Sequence, residues 1–337
     1  MQQKKKLLDL LKEQIRLRHY SIRTEQAYCE WVIRFVRFHN LQHPTLMDNR
    51  DVARFLDHLV IDCDVSAATQ KQAFNAIMFL YREVLQKDIG RINSSIRSKR
   101  TPRAPTVLTP AEVAAIINAL RAEHKLIVRL LYGSGLRIIE CLRLRVKDID
   151  FERLSVTVRS GKGDKDRITV LSRAIIEPLK EHLKHVKALH EKDLRDGYGS
   201  VYLPPALQRT MTHAAKEWIW QYVFPSRQLS IDPRTGITRR HHMYLDGINR
   251  AIKHAATIAG VQKRVSAHAF RHSFATHLLE SGTSIHTVQY LLGHASLETT
   301  KIYLHVMQRP GDGLKSPEEL MLAQQAQQAD YRKILMF

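Results

Sequence analysis

The sequence predicts a mainly α-helical protein of two domains with one small β-sheet. Three observations carry this reading. Apolar residues recur at helical spacing within residues 1–92. A basic stretch with prolines and serines at 93–106 interrupts that pattern. Farther on, L-S-V-T-V-R (154–159) and R-I-T-V-L (167–171) alternate around a glycine-containing turn, the mark of a β-hairpin.

The start, M-Q-Q-K-K-K-L-L-D-L-L, is charged and interrupted by Asp9, so it reads as a helix start and not as an export signal. After Ser21 a stripe follows: Tyr28, Trp31, Val32, Phe35 and Phe38. Arg23, Arg34 and Arg37 fall off it. Asn49 is a candidate cap for a helix carrying Val52, Phe55 and Leu59. Another follows Ser66, with Phe74, Ile77, Met78, Tyr81 and Leu85 on one face. Residues 1–92 are therefore a helical domain. Its apolar faces make a core, and its basic faces are free either for solvent or for phosphates.

Residues 93–106, N-S-S-I-R-S-K-R-T-P-R-A-P-T, suit an extended basic linker. The second domain, 107–308, opens on L-T-P-A-E-V, where Thr109 caps, Pro110 takes the first helical position and Glu112 lies in the first turn. Helices are expected to continue through Ile149. The hairpin follows, and helices return near 173–190. Residues 191–245 read as an irregular insert. From 246 onward the pattern is helical, with glycine stops at Gly282 and Gly293. Residues 309–337 form a tail, and no internal repeat is present.

Lysine and arginine number 53 against 33 acidic residues, a net charge of +20. Such an excess concentrates a polyanion and gives salt-sensitive binding through counterion release. Nucleic acid is the natural partner. An anionic membrane surface is the rival, but no run of about 20 apolar residues appears. Cys29, Cys63 and Cys141 are scattered and odd in number. They suit buried thiols in a reducing cytosol better than disulfides or a zinc site.

Four islands in the second domain hold reactive groups: G-S-G-L-R (133–137), G-K-G-D-K-D-R (161–167), H-A-F-R-H (268–272) and L-G-H…K-I-Y-L-H (292–305). They supply Arg137, Lys162, His268, Arg271, His294 and Tyr303. Guanidinium forks bind two nonbridging phosphate oxygens at once and stay charged. Gly133 and Gly135 are small enough to let backbone approach a phosphate. Arg271 lies one turn after His268, on the same helix face. A turn lysine can donate a proton to a leaving oxygen, with Lys165 as the competitor of Lys162. Tyr303, late in a short helix capped by Ser296, offers a phenol nucleophile. Taken singly, each arginine could be a surface ion pair, the lysine a solvated turn residue and each histidine structural. Their co-occurrence favours phosphoryl transfer. G-S-G-L-R lacks the G-K-[ST] ending of a nucleotide loop. His268 and His272 stand four apart like metal ligands, but the glutamate and third ligand of a metal helix are missing, so no metal is predicted.

The order and spacing of these islands resemble the tyrosine recombinases, the phage-integrase family. The resemblance implies that Arg137 and Arg271 bind the scissile phosphate and that His268 and His294 assist. It implies that Lys162 protonates the leaving 5′ oxygen, that Tyr303 attacks, and that His272 is a structural support. Phe270 departs from the leucine common there. Residues 191–245 contain E-W-I-W-Q-Y-V-F-P-S (217–226), I-D-P-R-T-G (231–236) and R-R-H-H-M-Y (239–244), with Arg227, Arg234, Arg239 and Arg240 beside aromatics. Flat rings with cations suit unpaired bases and their phosphates. This segment, with Y-S-I-R-T-E-Q-A-Y-C-E-W at 20–31, resembles integron integrases. That resemblance makes Trp220, Pro233, His241 and His242 candidates for holding extruded bases, against the alternative that Trp218 and Trp220 fill a core.

The expectation is thus a cytoplasmic integron-type integrase. Its helical core-binding domain and catalytic domain would form a C-shaped clamp on DNA. It would act on folded single-stranded cassette sites and duplex sites, as a homotetramer, without cofactor. A Xer-like recombinase on duplex DNA, a type IB topoisomerase and a catalytically idle DNA-binding protein are the alternatives.

Overall fold

The computed structural model describes residues 6–92, 105–159, 166–204, 207, 210, 211, 213–233 and 235–307, the side chains of 305–307 excepted. The expected 93–104 part of the linker, Lys162, Lys165, Arg234 and the tail lie outside them. The chain divides into two compact units, Met1–Arg103 and Ala104–Phe337. Within the described residues the protein is mostly helical, with small antiparallel sheets.

The first unit is built from α1 (Leu7–Leu17), α2 (Ile22–Phe38), α3 (Asn49–Ile61) and α4 (Ala67–Phe79). Ser21 and Ser66 cap α2 and α4 by accepting from Thr24 N and Thr69 N. The cap of α3 is Asp48 and not Asn49. Asp48 forms a capping box with Asp51, which Asn49, one residue too late, has no geometry to do. The stripe of α2 behaves as its spacing requires, with Trp31, Val32 and Phe35 buried. Phe38 ends it at the surface, stacked on His58 with centroids 4.6 Å apart. Arg23, Arg34 and Arg37 are exposed. The core joins Phe35, Met47, Val52, Phe55, Leu59, Ile77 and Tyr81. The Tyr81 hydroxyl donates to Pro44 O at 3.0 Å.

The second unit begins with α5 (Pro110–Ala119), whose Thr109–Glu112 capping box and first-position proline are those read from the sequence. Then come α6 (Ala122–Ser134) and α7 (Ile138–Leu142). The α-helical run stops there, and a short 3-10 helix, Val146–Asp148, leads up to Ile149. Ile149–Asp150 is instead β1, an edge strand beside β2 (Ser155–Val158) and β3 (Arg167–Val170), in the order β1-β2-β3. Register pairs Val156 with Thr169 and Val158 with Arg167. These four share the buried face. Ile168 and Val170 point outward, 50% and 44% exposed.

Helix α8 runs Ile176–Arg195, longer than expected. The 191–245 stretch is more ordered than an irregular insert. Past α8 it holds short 3-10 turns and a hairpin of β4 (Pro225–Ile231) and β5 (Thr238–His242). Arg240 ties the hairpin to α8, donating to Asp193 Oδ2 and Oδ1 at 2.5 and 2.7 Å. Helices α9 (Leu245–Ile258), α10 (Ala267–Glu280), α11 (Ile285–Leu292) and α12 (Glu298–Met307) complete the unit. Phe270 lies in the main core, and α10 packs on α6, α11 and α12.

Cys29 and Cys141 are buried, but Cys63, on the turn after α3, is exposed, its Sγ 3.6 Å from His58 Nε2. No helix among the described residues is long and apolar enough to cross a membrane.

Candidate active site

Gly135 ends α6 in the left-handed region at φ 63°. A Cβ there would meet the Phe274 ring at 2.4 Å. Gly135 therefore serves helix packing rather than an open approach to phosphate. Its carbonyl accepts from Arg271 Nη1 at 2.5 Å, and Leu292 O accepts from Arg271 Nη2 at 2.6 Å. Two main-chain oxygens so fix the fork of a side chain only 3% exposed.

Arg137 stands at the start of α7, two residues after this glycine. Its Nη1 donates to Glu140 Oε1 at 2.6 Å, and its backbone N to Oε2 at 2.8 Å. Glu140 also receives Arg167, at 3.0 Å on Oε1 and 2.6 Å on Oε2, and lies 3.7 Å from Arg271. Arg167 Nε reaches Leu291 O at 2.9 Å, which ties β3 to α11. Three guanidiniums share one carboxylate. The surplus of positive charge suits a phosphate. Arg137 is the most open of the three, at 21% exposed.

The nucleophile candidate lies beside this cluster. Ser296 Oγ accepts from Glu298 N at 3.3 Å and starts α12. Tyr303 on α12 is buried, packed with Phe274, Val288 and Leu292. The His294 ring lies nearly parallel to it, 6.2 Å centroid to centroid at 15°, and His294 Nδ1 bonds Thr300 Oγ1 at 2.9 Å. The Tyr303 hydroxyl hydrogen-bonds His272 Nδ1 at 3.0 Å. His272, expected as a structural support, thus touches the phenol oxygen itself. Its ring is 6.2 Å from that of His268, whose residue is exposed on α10.

Electrostatics follow from this crowding. Burial would raise Glu140, but hydrogen bonds and charge from Arg167, then Arg137, hold it down at about 2. Burial and then Arg137 push Arg271 down to about 9, leaving it charged at neutral pH. Burial, then His268 and Arg271, lowers His272 to about 4. Burial, then Arg271, Arg137 and Arg167, lowers His294 to about 4. His268 is lowered by desolvation, then Arg271 and Arg137. Burial raises the Tyr303 phenol while Arg271 and Arg137 pull it back.

The structure thus brings together Arg137, His268, Arg271, His294 and Tyr303. Sequence reasoning missed Glu140, Arg167 and the contact of His272. Arg137 and Glu140 at i and i+3 were a readable signal, since that spacing lets an arginine and a glutamate meet. Among the described residues no group of His, Cys, Asp and Glu could hold a metal ion.

The residues picked from the insert are placed differently from one another. Trp220, 9% exposed, belongs to a small core with Val201, Leu203, Ala214 and Tyr222, and Lys147 Nζ sits 2.9 Å from its ring centroid. Its Nε1 has no hydrogen-bond partner among the described residues. Pro233 and His241 are exposed, and His242 is half-buried. The Tyr222 ring is tilted against His241 at 5.4 Å and edge-on to His242 at 5.5 Å, and the Arg145 guanidinium lies 4.1 Å from its centroid. Arg239 is buried, and Arg240 and Arg227 are paired with Asp193 and Glu123. Arg239 and Arg240 are committed to the hairpin and its seat on α8, through Asp232 and Asp193, whereas Arg227 is 79% exposed on the surface.

Residues 106–309 match the phage integrase family, and residues 7–91 match the phage integrase N-terminal SAM-like domain. An integrase/recombinase of Escherichia coli is 46% identical over 312 residues, covering 93% of each chain. The tyrosine recombinase XerA of Pyrococcus furiosus is 34% identical over 215 residues, 63% of this chain and 61% of that one. Among solved structures, a lambda integrase dimer bound to a COC′ core site superposes with TM-score 0.59 at 17% identity, covering 92% of this chain and 98% of that one. The XerH recombinase bound to difH before cleavage gives 0.58 at 22%, covering 90% and 82%. At these identities the likeness is one of fold.

Proposed function

The chain belongs to the phage integrase family, and from that premise we propose that it breaks and rejoins DNA through a 3′-phosphotyrosyl link on Tyr303, as an integrase of integron type. Tyrosine recombinases act on DNA. The observation that carries the chemistry is the placement of one buried phenol against two histidines and beside the arginine cluster of Arg137 and Arg271.

In this reading Arg137 and Arg271 hold the nonbridging oxygens, where negative charge grows in the transition state. His268 and His294 hydrogen-bond the phosphate and handle protons. Tyr303 attacks phosphorus, the bond to O5′ breaks, and Lys162 supplies the proton that O5′ needs. The phosphotyrosyl bond keeps the energy of the phosphodiester, so rejoining requires neither ATP nor metal. Residues 1–92, the linker 93–106 and the catalytic part 107–308 would close on DNA as a clamp, four protomers to two paired sites, in the cytoplasm.

The integron reading rests on the β4–β5 hairpin and on Tyr222, His241 and His242, a ring cluster crowned by Arg145. Pro233 and His241 are the exposed groups an extruded base would meet, and Trp220 would back them. The burial of Trp220 favours a second reading, a Xer-like recombinase on duplex DNA in which that ring is only core.

Covalent trapping separates the two. Cassette-type sites are offered as folded single strands of each polarity and as duplexes, and denaturing gels count the adducts. Adducts that need Tyr303 and form mainly on one folded strand are the expected result. Adducts mainly on duplex would replace the integron reading with the Xer-like one.

A further inference from the structure

We propose that His272 is the proton acceptor for the Tyr303 nucleophile, taking the phenol proton on Nδ1 during cleavage and returning it during rejoining. This rests on the reading of Tyr303 as nucleophile, and it assigns the phenol proton to His272, leaving His268 and His294 to the phosphate. The contact is direct: Nδ1 lies 3.0 Å from the hydroxyl oxygen, the one hydrogen bond to that oxygen among the described residues.

No other basic group around Tyr303 hydrogen-bonds its hydroxyl among the described residues. The His294 ring centroid stands 6.2 Å from that of Tyr303, and its Nδ1 is engaged by Thr300. Arg271 only donates, and its two terminal nitrogens are bound to Gly135 O and Leu292 O. His268 is one helical turn away, its ring 6.2 Å from that of His272. His272 follows Arg271 in α10, so the residue that binds phosphate and the one that would receive the proton are fixed by one rigid element.

The step balances as follows. The phenol O–H bond breaks and its proton goes to Nδ1. The freed oxygen pair forms the bond to phosphorus, and the P–O5′ bond breaks. Its electron pair stays on O5′, which takes a proton from the acid on the opposite side. In rejoining, O5′ attacks, the bond from phosphorus to Tyr303 breaks, and the imidazolium returns its proton to the phenol oxygen.

A base must be neutral before it acts. The charged or titratable groups facing His272 are His268 and Arg271 from α10, Tyr303 from α12, and His294 from the turn after α11. Burial and then the cations among these keep the imidazole unprotonated through the neutral range. A bound phosphate monoanion partly offsets those cations, which strengthens the acceptor only when substrate is in place.

The test uses the full chain and the trapping oligonucleotide that yields adduct with the native protein. His272→Asn keeps an acceptor oxygen near the position of Nδ1 but no useful proton affinity. His272→Gln does the same with a longer reach, should the first not fold. Adduct formation by either is expected to fall ~10²–10⁴-fold at pH 7. It should then climb with pH, because the phenol must ionise unaided, while the native rate stays level from about pH 6.5 to 8. An amide variant with the native rate and a level profile would mean that His272 only positions Tyr303, and the proposal would be wrong. A second arm replaces O5′ by sulfur, whose thiolate leaves without a proton. No rescue of His272→Asn is expected. Rescue would assign His272 to the leaving group and overturn the proposal. Adduct that persists in Tyr303→Phe, or no adduct from the native chain on any site, sinks the reading of Tyr303 itself, which is a distinct failure.

Discussion

Arg167 grips both carboxylate oxygens of Glu140, at 3.0 and 2.6 Å, although one stands on β3 and the other on α7. Both side chains are nearly sealed from solvent, 6% and 7% exposed. Removing one partner strands the other charge. Arg167→Met should therefore destabilise the second unit by about 3–5 kcal/mol. A melting curve of the full chain checks this. A loss under 1 kcal/mol would mean that Glu140 finds compensation in Arg137 and Arg271.

Acid should unfold the second unit in two stages. His272 and His294 have folded values of about 4, below the ordinary 6.5, so the unfolded chain takes up protons first. Their contribution is present above 6.5 and fades as pH falls toward 4. Glu140 is depressed from 4.5 to about 2, so its contribution is present above 4.5 and is lost toward 2. Denaturant titrations from pH 8 to 2.5 should show both slopes, and Glu140→Gln should erase the lower one. A single slope in the native protein would contradict this assignment.

Binding a phosphate among Arg137 and Arg271 sets a negative charge near the two histidines and raises their proton affinity. DNA should then bind with proton uptake, and more tightly as pH falls from 7 toward 5. Calorimetry in two buffers of different ionisation enthalpy measures the uptake. Proton release would point to other groups.

Tyr303→Phe should abolish covalent adducts while DNA affinity changes by less than about threefold. The lost hydroxyl is one hydrogen bond to His272, so the fold should hold within about 1 kcal/mol. Gel-shift and trapping assays on the same preparation check both. Loss of DNA binding as well would make Tyr303 a structural residue.

Trp220→Ala should weaken folded single-stranded sites more than duplex sites, and should also cost about 3–5 kcal/mol in stability, because the ring fills a small core. His241→Ala is the cleaner probe. His241 is exposed, so its removal should leave stability within about 0.5 kcal/mol. Equal effects of both variants on the two kinds of DNA would confine this region to a packing role.

Local signals were legible where one short segment decides the outcome. Ser21, Ser66 and Thr109 cap helices because a hydroxyl at that place satisfies an amide two or three residues on. The β2–β3 pairing follows from alternation, yet the inner face of β3 does not. Ile168 and Val170 look like the core face, but Arg167 and Thr169 occupy it. Glu140, Leu291 O and Ser134 O, all distant in sequence, satisfy those polar groups. β1 is two residues long and gains its identity only from β2. The β4–β5 hairpin is held by Arg240 on Asp193, a partnership 47 residues apart that no local pattern announces. Of the six candidate side chains, the five within the described residues could be chosen from spacing and lie near one another. The hydrogen bond from His272 to the phenol could not, because it needs α10 and α12 packed together.

The fork of Arg271 rests on the carbonyls of Gly135 and Leu292. Every amino acid carries a carbonyl, so side-chain drift at position 292 leaves that anchor intact as long as α11 keeps its path. Position 135 is narrower, since its backbone conformation and the Phe274 ring admit little beyond glycine. The anchoring of this arginine is therefore insulated from most mutation. Homologues with quite different side chains around it should retain the same orientation, while their specificity for DNA diverges freely elsewhere on the chain.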